Sequence, residues 1–142
     1  MGYYVDSIDY TSFKIDRDKF MAAVLKWEEQ HPGEHISWCD RVSDIAITAE
    51  EVLTRFGFDI SFDAPASPDY QWITIEFWGG DKMGSTWEDM WEDMLAPAAA
   101  PDTNSVWIMR GEDGETWCEE IIGNEHRQWP VEVIYDIKRI VS

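Results

Sequence analysis

The sequence predicts an α+β domain, a mostly antiparallel sheet of about six strands with three amphipathic helices packed on one face. Three observations carry that expectation. Apolar residues recur at helical spacing in three stretches, strict alternation marks several others, and an Asp-Gly pair separates two apolar runs. With 142 residues, 44% of them hydrophobic, the chain reads as a single domain over residues 1–142. At that length folding removes roughly two-thirds of the unfolded chain's surface from solvent, enough for a core without staples.

Tyr3 to Ile15 is rich in Tyr, Val, Ile and Phe and ends in an alternation around Phe13 and Ile15, which predicts one strand or a broken pair. Asp16 caps a helix over Asp18 to Gln30. Its apolar stripe is Phe20, Ala23, Val24 and Trp27, and Pro32-Gly33 supplies the stop. A second helix opens at Thr48, where Thr48 and Glu51 make a capping box, and closes at Gly57; Ala49, Val52, Leu53 and Phe56 form its stripe.

Phe58, Ile60 and Phe62 then alternate with Asp59, Ser61 and Asp63, and beyond Pro65 and Pro68 the run YQWITIEFW alternates again. An antiparallel pair is expected. Ile73, Ile75 and Phe77 take one face, leaving Trp72, Thr74, Glu76 and Trp78 on the other, either beneath a helix or as a contact patch. Gly79-Gly80 introduces a third helix through STWEDMWEDML, with Ser85 as its cap and Glu88 three residues later. Ala96 to Pro101 reads as a short low-complexity linker.

Val106 to Arg110 and Glu115 to Ile122 flank Gly111-Glu-Asp-Gly114, whose Asp-Gly pair provides the positive φ of a tight hairpin. The last segment, Trp129 to Ile140, fits a strand or a helix, and its β-branched content favours the strand. A parallel crossover at one strand stays open.

The hairpin VWIMRGEDGETWCEEI resembles one found in small uncharacterised proteins of actinobacteria and their phages, in which W-x-x-x-GEDGE-x-W follows a helix. The carrying residues are Trp107, Gly111, Glu112, Asp113, Gly114, Glu115 and Trp117. The resemblance extends to the N-terminal strand followed by a helix, about half the chain, and implies no reaction, cofactor or catalytic residue.

Charge narrows the functions more than any motif. The chain has 29 Asp and Glu against 11 Lys and Arg, a net charge of −18. Direct binding to nucleic acid or to an anionic membrane needs a basic face, so neither is expected. A charge-guided partner should instead be basic, although the same excess of carboxylate would also serve solubility. Cys39 and Cys118 are too few and too distant for a disulfide framework. The opening MGYYVDSIDY lacks a basic n-region and an apolar core, and no apolar run approaches the roughly 20 residues of a membrane span. The expectation is a cytoplasmic protein.

Reactive chemistry finds little footing. His31, His35 and Cys39 stand four apart, with Cys118 or His126 as a fourth candidate ligand, but Pro32-Gly33 interrupts the helix that would align them. A Cys39 nucleophile paired with His35 or His31 meets adjacent Asp40 and a negative field, which oppose thiolate formation. Gly79-Gly80-Asp81 is no phosphate cradle, since no GK[ST] follows. No catalytic residue, metal ligand or cofactor is assigned.

In WEDMWEDML, Trp87, Met90, Trp91, Met94 and Leu95 form a stripe for the core, leaving Glu88, Asp89, Glu92 and Asp93 facing outward. Along an α-helix those acids would present one charge per about 2.7 Å, between the 1.7 Å per charge of duplex DNA and the 3.4 Å of one strand. Two turns are a short track, so other acids would have to join it: Glu112, Asp113, Glu115, Glu119 and Glu120 of the hairpin, or Glu28 and Glu29 at the end of the first helix.

The expected function is that of a non-enzymatic acidic protein which binds and neutralises a basic partner, a nuclease or DNA-binding protein, as a DNA mimic. Phage counter-defence and toxin immunity are two settings for it. Trp72 and Trp78 would anchor the contact while the acids steer it. The alternatives are a structural or assembly protein acting through homo-oligomeric contacts and a small metal-dependent enzyme built on His31, His35 and Cys39.

Overall fold

Helix boundaries are set by local hydrogen bonds. In the computed structural model, which describes residues 3–34, 48–62, 71–78, 82–83 and 86–131, Asp16 accepts from the backbone N–H groups of Asp18 and Lys19 and starts α1 (Arg17–Gln30). Thr48 Oγ1 accepts from Glu51 N–H at 3.3 Å to start α2 (Ala49–Phe56). That helix closes on Gly57, whose φ of 106° lets its N–H reach Leu53 and Thr54 carbonyls. Both cap assignments and both apolar stripes are those the sequence predicts. Burial of Phe20, Val24 and Trp27, and of Ala49, Val52, Leu53 and Phe56, fixes which way each helix faces.

The strands form two antiparallel sheets where one was expected. The larger has five strands in the order β5 (Lys82–Met83), β1 (Tyr3–Tyr10), β6 (Asn104–Gly111), β7 (Thr116–Ile122), β8 (Glu125–Pro130). The smaller has the order β2 (Phe13–Asp16), β4 (Trp72–Trp78), β3 (Phe58–Phe62). The chain changes sheets at Thr11-Ser12. Thr11 N–H still bonds Val106 O at 3.0 Å, and two residues later Phe13 is paired with Ile75. The broken pair is therefore the correct alternative for the N-terminal segment. All pairings among the described residues are antiparallel, so no parallel crossover occurs there.

The helices do not lie on one face of one sheet. α1 and α2 pack on β2 and β3 of the smaller sheet, whereas the second helical layer reaches β8 of the larger. That layer is α3 (Trp87–Asp89), a π-helical segment (Met90–Leu95) and α4 (Ala96–Ala98) in immediate succession. Ala96 N–H bonds Trp91 O, five residues back. Pro97 offers a cause, since it brings no N–H and its ring crowds the carbonyl four residues earlier, a conflict that a wider turn relieves. The predicted stripe is nevertheless wholly buried, from Trp87 through Met90, Trp91 and Met94 to Leu95.

Three local expectations need correction. The N-cap of α3 is Thr86, whose side chain makes no capping bond, and the predicted cap Ser85 lies outside the described residues. Ala96, Ala98 and Ala99 are core rather than linker. They are small enough for α4 to approach α1 closely, and Ala99 bridges to Ile15. The third concerns β4, where Phe58 pairs with Trp78, Asp59 with Phe77 and Ile60 with Ile75, so Glu76 is the extra residue of a bulge. The bulge reverses the alternation beyond it. Trp78 joins Ile73 and Ile75 inside, and Phe77 turns to the half-buried side.

The Gly111–Gly114 hairpin is as predicted, with Gly114 at φ 88° and Gly111 N–H bonding Glu115 O at 2.8 Å. β8 begins at Glu125, before the predicted Trp129 start; the rest of that segment, from residue 132, lies outside the described residues. Both sheets and the π segment meet at Trp91, whose ring lies 5.4 Å from Trp107, 5.8 Å from Phe58 and 6.4 Å from Phe13.

Candidate functional site

The acids singled out in the sequence occupy two separate surfaces. Glu88, Glu92 and Asp93 are exposed on the helical layer. Asp89 is half-buried instead of outward, because its Oδ2 accepts the indole N–H of Trp27 at 2.8 Å and ties the layer to α1. Asp93 borders a groove of about 170 Å3 between α1 and the π segment, together with Lys26 and Glu92. Burial there pushes its carboxyl above the usual range and neighbouring Asp89 adds to this, while His31 and Lys26 act in the opposite sense.

Glu112, Asp113 and Glu115 are exposed at the tip of the β6–β7 hairpin, where Asp113 Oδ1 accepts from Glu115 N–H at 3.0 Å and stiffens the turn. The proposed aromatic anchors fare differently. Trp72 is half-buried, but Trp78 is 1% exposed and donates its indole N–H to Phe56 O at 2.9 Å. The bulge at Glu76 thus removes Trp78 from any contact surface.

The candidate metal ligands are only partly described. His35 and Cys39 lie outside the described residues. His31 stacks on the Trp27 ring at 4.3 Å, with Nδ1 2.8 Å from Trp27 O. Cys118 and His126 cannot converge, because Cys118 pairs with Trp129 and His126 with Ile121, placing their side chains on opposite sheet faces. Burial pushes the Cys118 thiol up to about 11, and Glu120 and Glu119 add to the effect. Among the described residues no group of three ligating side chains is placed to hold a metal.

Two acids expected to extend the outward track, Glu119 and Glu28, are instead withdrawn from solvent, Glu28 being 3% exposed, and Glu119 is the most unusual polar group of the fold. Glu119 is fully buried in the centre of β7. Its Oε2 accepts from the indoles of Trp87 (2.6 Å) and Trp117 (2.8 Å) and from the Gln128 amide (2.7 Å), and His126 Nε2 lies 2.7 Å from Oε1. The His126 ring stacks beside Trp91 at 6.2 Å. A signal for it existed: the alternation of Trp117, Glu119 and Ile121 places Glu119 on an apolar face, where it must find donors.

This cluster has acid–base residue types, but its geometry is that of a clamp. Four donors from α3, β7 and β8 converge on one carboxylate, so its acceptor positions are engaged within the fold. Grooves lie between α1 and the π segment, between the starts of α1 and α2, and beside β2; none of the three is lined by Glu119 or His126. No helix among the described residues is long and apolar enough to cross a membrane. No protein-family model matches the chain, and neither a curated protein nor a solved structure shows similarity to it.

Proposed function

We propose that the protein is a non-enzymatic acidic binder that neutralises a basic protein partner, a nuclease or DNA-binding protein, by charge complementarity in the manner of a DNA mimic. The observation that carries this reading is the disposition of charge. The chain bears a net −18, and Glu88, Glu92, Glu112 and Glu115 stand exposed with no cationic side chain paired to them among the described residues. Lys and Arg pair with carboxylates at Arg17–Asp18 (3.6 Å) and Arg127–Glu125 (3.9 Å), contacts that are themselves solvent-exposed and weak.

Two acidic surfaces, one on the helical layer and one at the hairpin tip, give a partner a broad negative field to follow during association. The resemblance of the hairpin to actinobacterial and phage proteins fits a setting in counter-defence or toxin immunity.

The test is competition. A DNA-binding protein or nuclease recovered as the partner should be displaced from duplex DNA by this protein, and displacement should weaken steeply as salt is raised from about 50 to 200 mM. Binding that is indifferent to salt and to DNA overturns the reading.

A further inference from the structure

The larger sheet has a second face, turned away from the core, whose composition differs from the rest of the surface. Register places Ile108, Cys118 and Trp129 in one row across β6, β7 and β8, with Val106, Glu120 and Arg127 in the next and Asn104, Ile122 and Glu125 in the third. Asp9 pairs with Ile108 and continues the first row onto β1, and Ile8, the extra residue of a bulge between Ser7 and Asp9, stands beside it. The residues alternating with these, Ser105, Trp107, Met109, Trp117, Glu119 and Ile121, are buried on the core side, while on the outer side Cys118 alone is covered, lying between Ile108 and Trp129. Ile8, Ile122 and Trp129 are 37%, 45% and 39% exposed, and Val106 and Ile108 lie half-buried among them.

Size and charge select the occupant. Strands about 4.8 Å apart, each adding some 20 Å of length, give this face a width of about 15 Å and an area of roughly 300 to 400 Å2. A stable homodimer buries about 800 Å2 per partner, so the face is too small to hold a second copy by itself. Two copies carrying −18 each would also repel. Asp9 and Glu125 stand at the edges, with Glu112 and Glu115 at the hairpin end, against Arg110, while Glu120 lies within the face on β7 between Val106 and Arg127. A helix about 10 to 12 Å across and 20 Å long matches the dimensions.

We infer that the outer face of the five-stranded sheet docks an amphipathic helix of a partner protein, its apolar stripe set on Ile8, Ile108, Ile122 and Trp129 and its Lys and Arg flanks meeting the acidic rim. This rests on the reading of the protein as an acidic binder and assigns the surface it uses: the GEDGE end and the sheet, with the WEDM acids acting at longer range.

Two helical peptides of about 14 residues and equal positive charge separate the possibilities, one carrying a Leu stripe between Lys flanks and the other with Ser in place of Leu. At about 50 mM salt the Leu/Lys peptide should bind roughly tenfold more tightly, the effect of about 60 Å2 of apolar surface leaving water. The Trp129 indole resonance should shift with the Leu/Lys peptide alone, and joint Ile8→Ser and Ile122→Ser substitution should reduce its affinity to that of the Ser/Lys peptide. Both sites are exposed, so the fold should tolerate the change. Equal binding of the two peptides, or a gain that survives the double substitution, overturns the docking face and leaves the acidic reading standing. Failure of both peptides to bind overturns the acidic reading, and the docking face with it. A wild-type dimer at micromolar concentration that the double substitution dissociates overturns the partner helix in favour of a second copy.

Discussion

His126 Nε2 lies 2.7 Å from Glu119 Oε1, and both side chains are withdrawn from solvent, although one sits in the middle of β7 and the other near the start of edge strand β8. The carboxylate they share with Trp87, Trp117 and Gln128 joins α3 to two strands of the larger sheet. Buried polar groups are stabilising only when their partners are complete. Glu119→Ala leaves four donors without an acceptor and should cost about 3 to 5 kcal/mol, read as a lowered denaturation midpoint. Glu119→Gln should cost less, because the amide oxygen can keep the three donors at Oε2 while its NH2 meets His126 Nε2 in the tautomer that accepts. A midpoint within the wild-type error for Glu119→Ala would show that the cluster does not hold these elements together.

Gly57 and Trp78 depend on each other in a comparable way. Gly57 combines a φ of 106° with a close approach, in which an added Cβ would lie 2.7 Å from Trp78 Nε1. Gly57→Ala should therefore destabilise by about 1 to 2 kcal/mol for the left-handed backbone, and by more for the clash. Trp78→Phe removes both the colliding atom and the bond to Phe56 O. Combining the two should cost less than the sum of the single substitutions, and strict additivity in the double-mutant cycle would contradict the contact.

Asp16 links the α1 cap to pH. Its burial pushes the carboxyl up, but the N–H groups of Lys19 and Asp18 and the Gln71 amide outweigh this and hold it below 3.8. A carboxylate whose folded pKa is depressed adds stability that is present above its unfolded pKa and is lost as pH falls through the lower folded value. Wild-type stability should therefore drop below about pH 4 more steeply than that of Asp16→Ala, which at neutral pH should already be about 1 kcal/mol less stable. Asp93 has the opposite sign: its raised pKa gives stability that is present below 3.8 and lost as pH rises through the folded value. Asp93→Asn should flatten that part of the profile. Parallel profiles for wild type and both variants would refute these assignments.

The parts of the fold that could be read in advance are those fixed by short-range chemistry. Asp16, Thr48, Gly57 and the Asp113-Gly114 turn act through neighbours within four residues, and each does what its type suggests. What could not be read depends on partners far along the chain. The Glu76 bulge exists because β3 and β4 pair with an offset, and one extra residue was enough to exchange the faces of Phe77 and Trp78. The early start of β8 was not legible because GNEHRQ carries no apolar alternation; His126 and Gln128 are inward because Glu119 receives them. The Ala96–Ala99 stretch looked like a linker because alanine gives no pattern, yet a small side chain is what a close helix contact requires.

The division of acids between two surfaces gives the final prediction. Glu88, Glu92 and Asp93 lie on the helical layer, and Glu112, Asp113 and Glu115 at the hairpin tip, so neutralising either set as amides tests one surface at a time. Asp89 should be left in place, because it accepts from Trp27 and its change would confound binding with stability. Neither triple variant should lose appreciable stability, since exposed surface substitutions usually fall within about 0.5 kcal/mol. With a basic partner, both should slow association and lessen its salt dependence, because steering sums over the whole field. Only the hairpin set borders the outer sheet face, so it should also speed dissociation, whereas the helix set should leave the dissociation rate unchanged. The measurement is association and dissociation rates across ionic strength for wild type and both variants. Faster dissociation on loss of the helix acids would move the contact to the layer formed by α3 and the π segment, and unchanged rates in both would reduce all six acids to solvation.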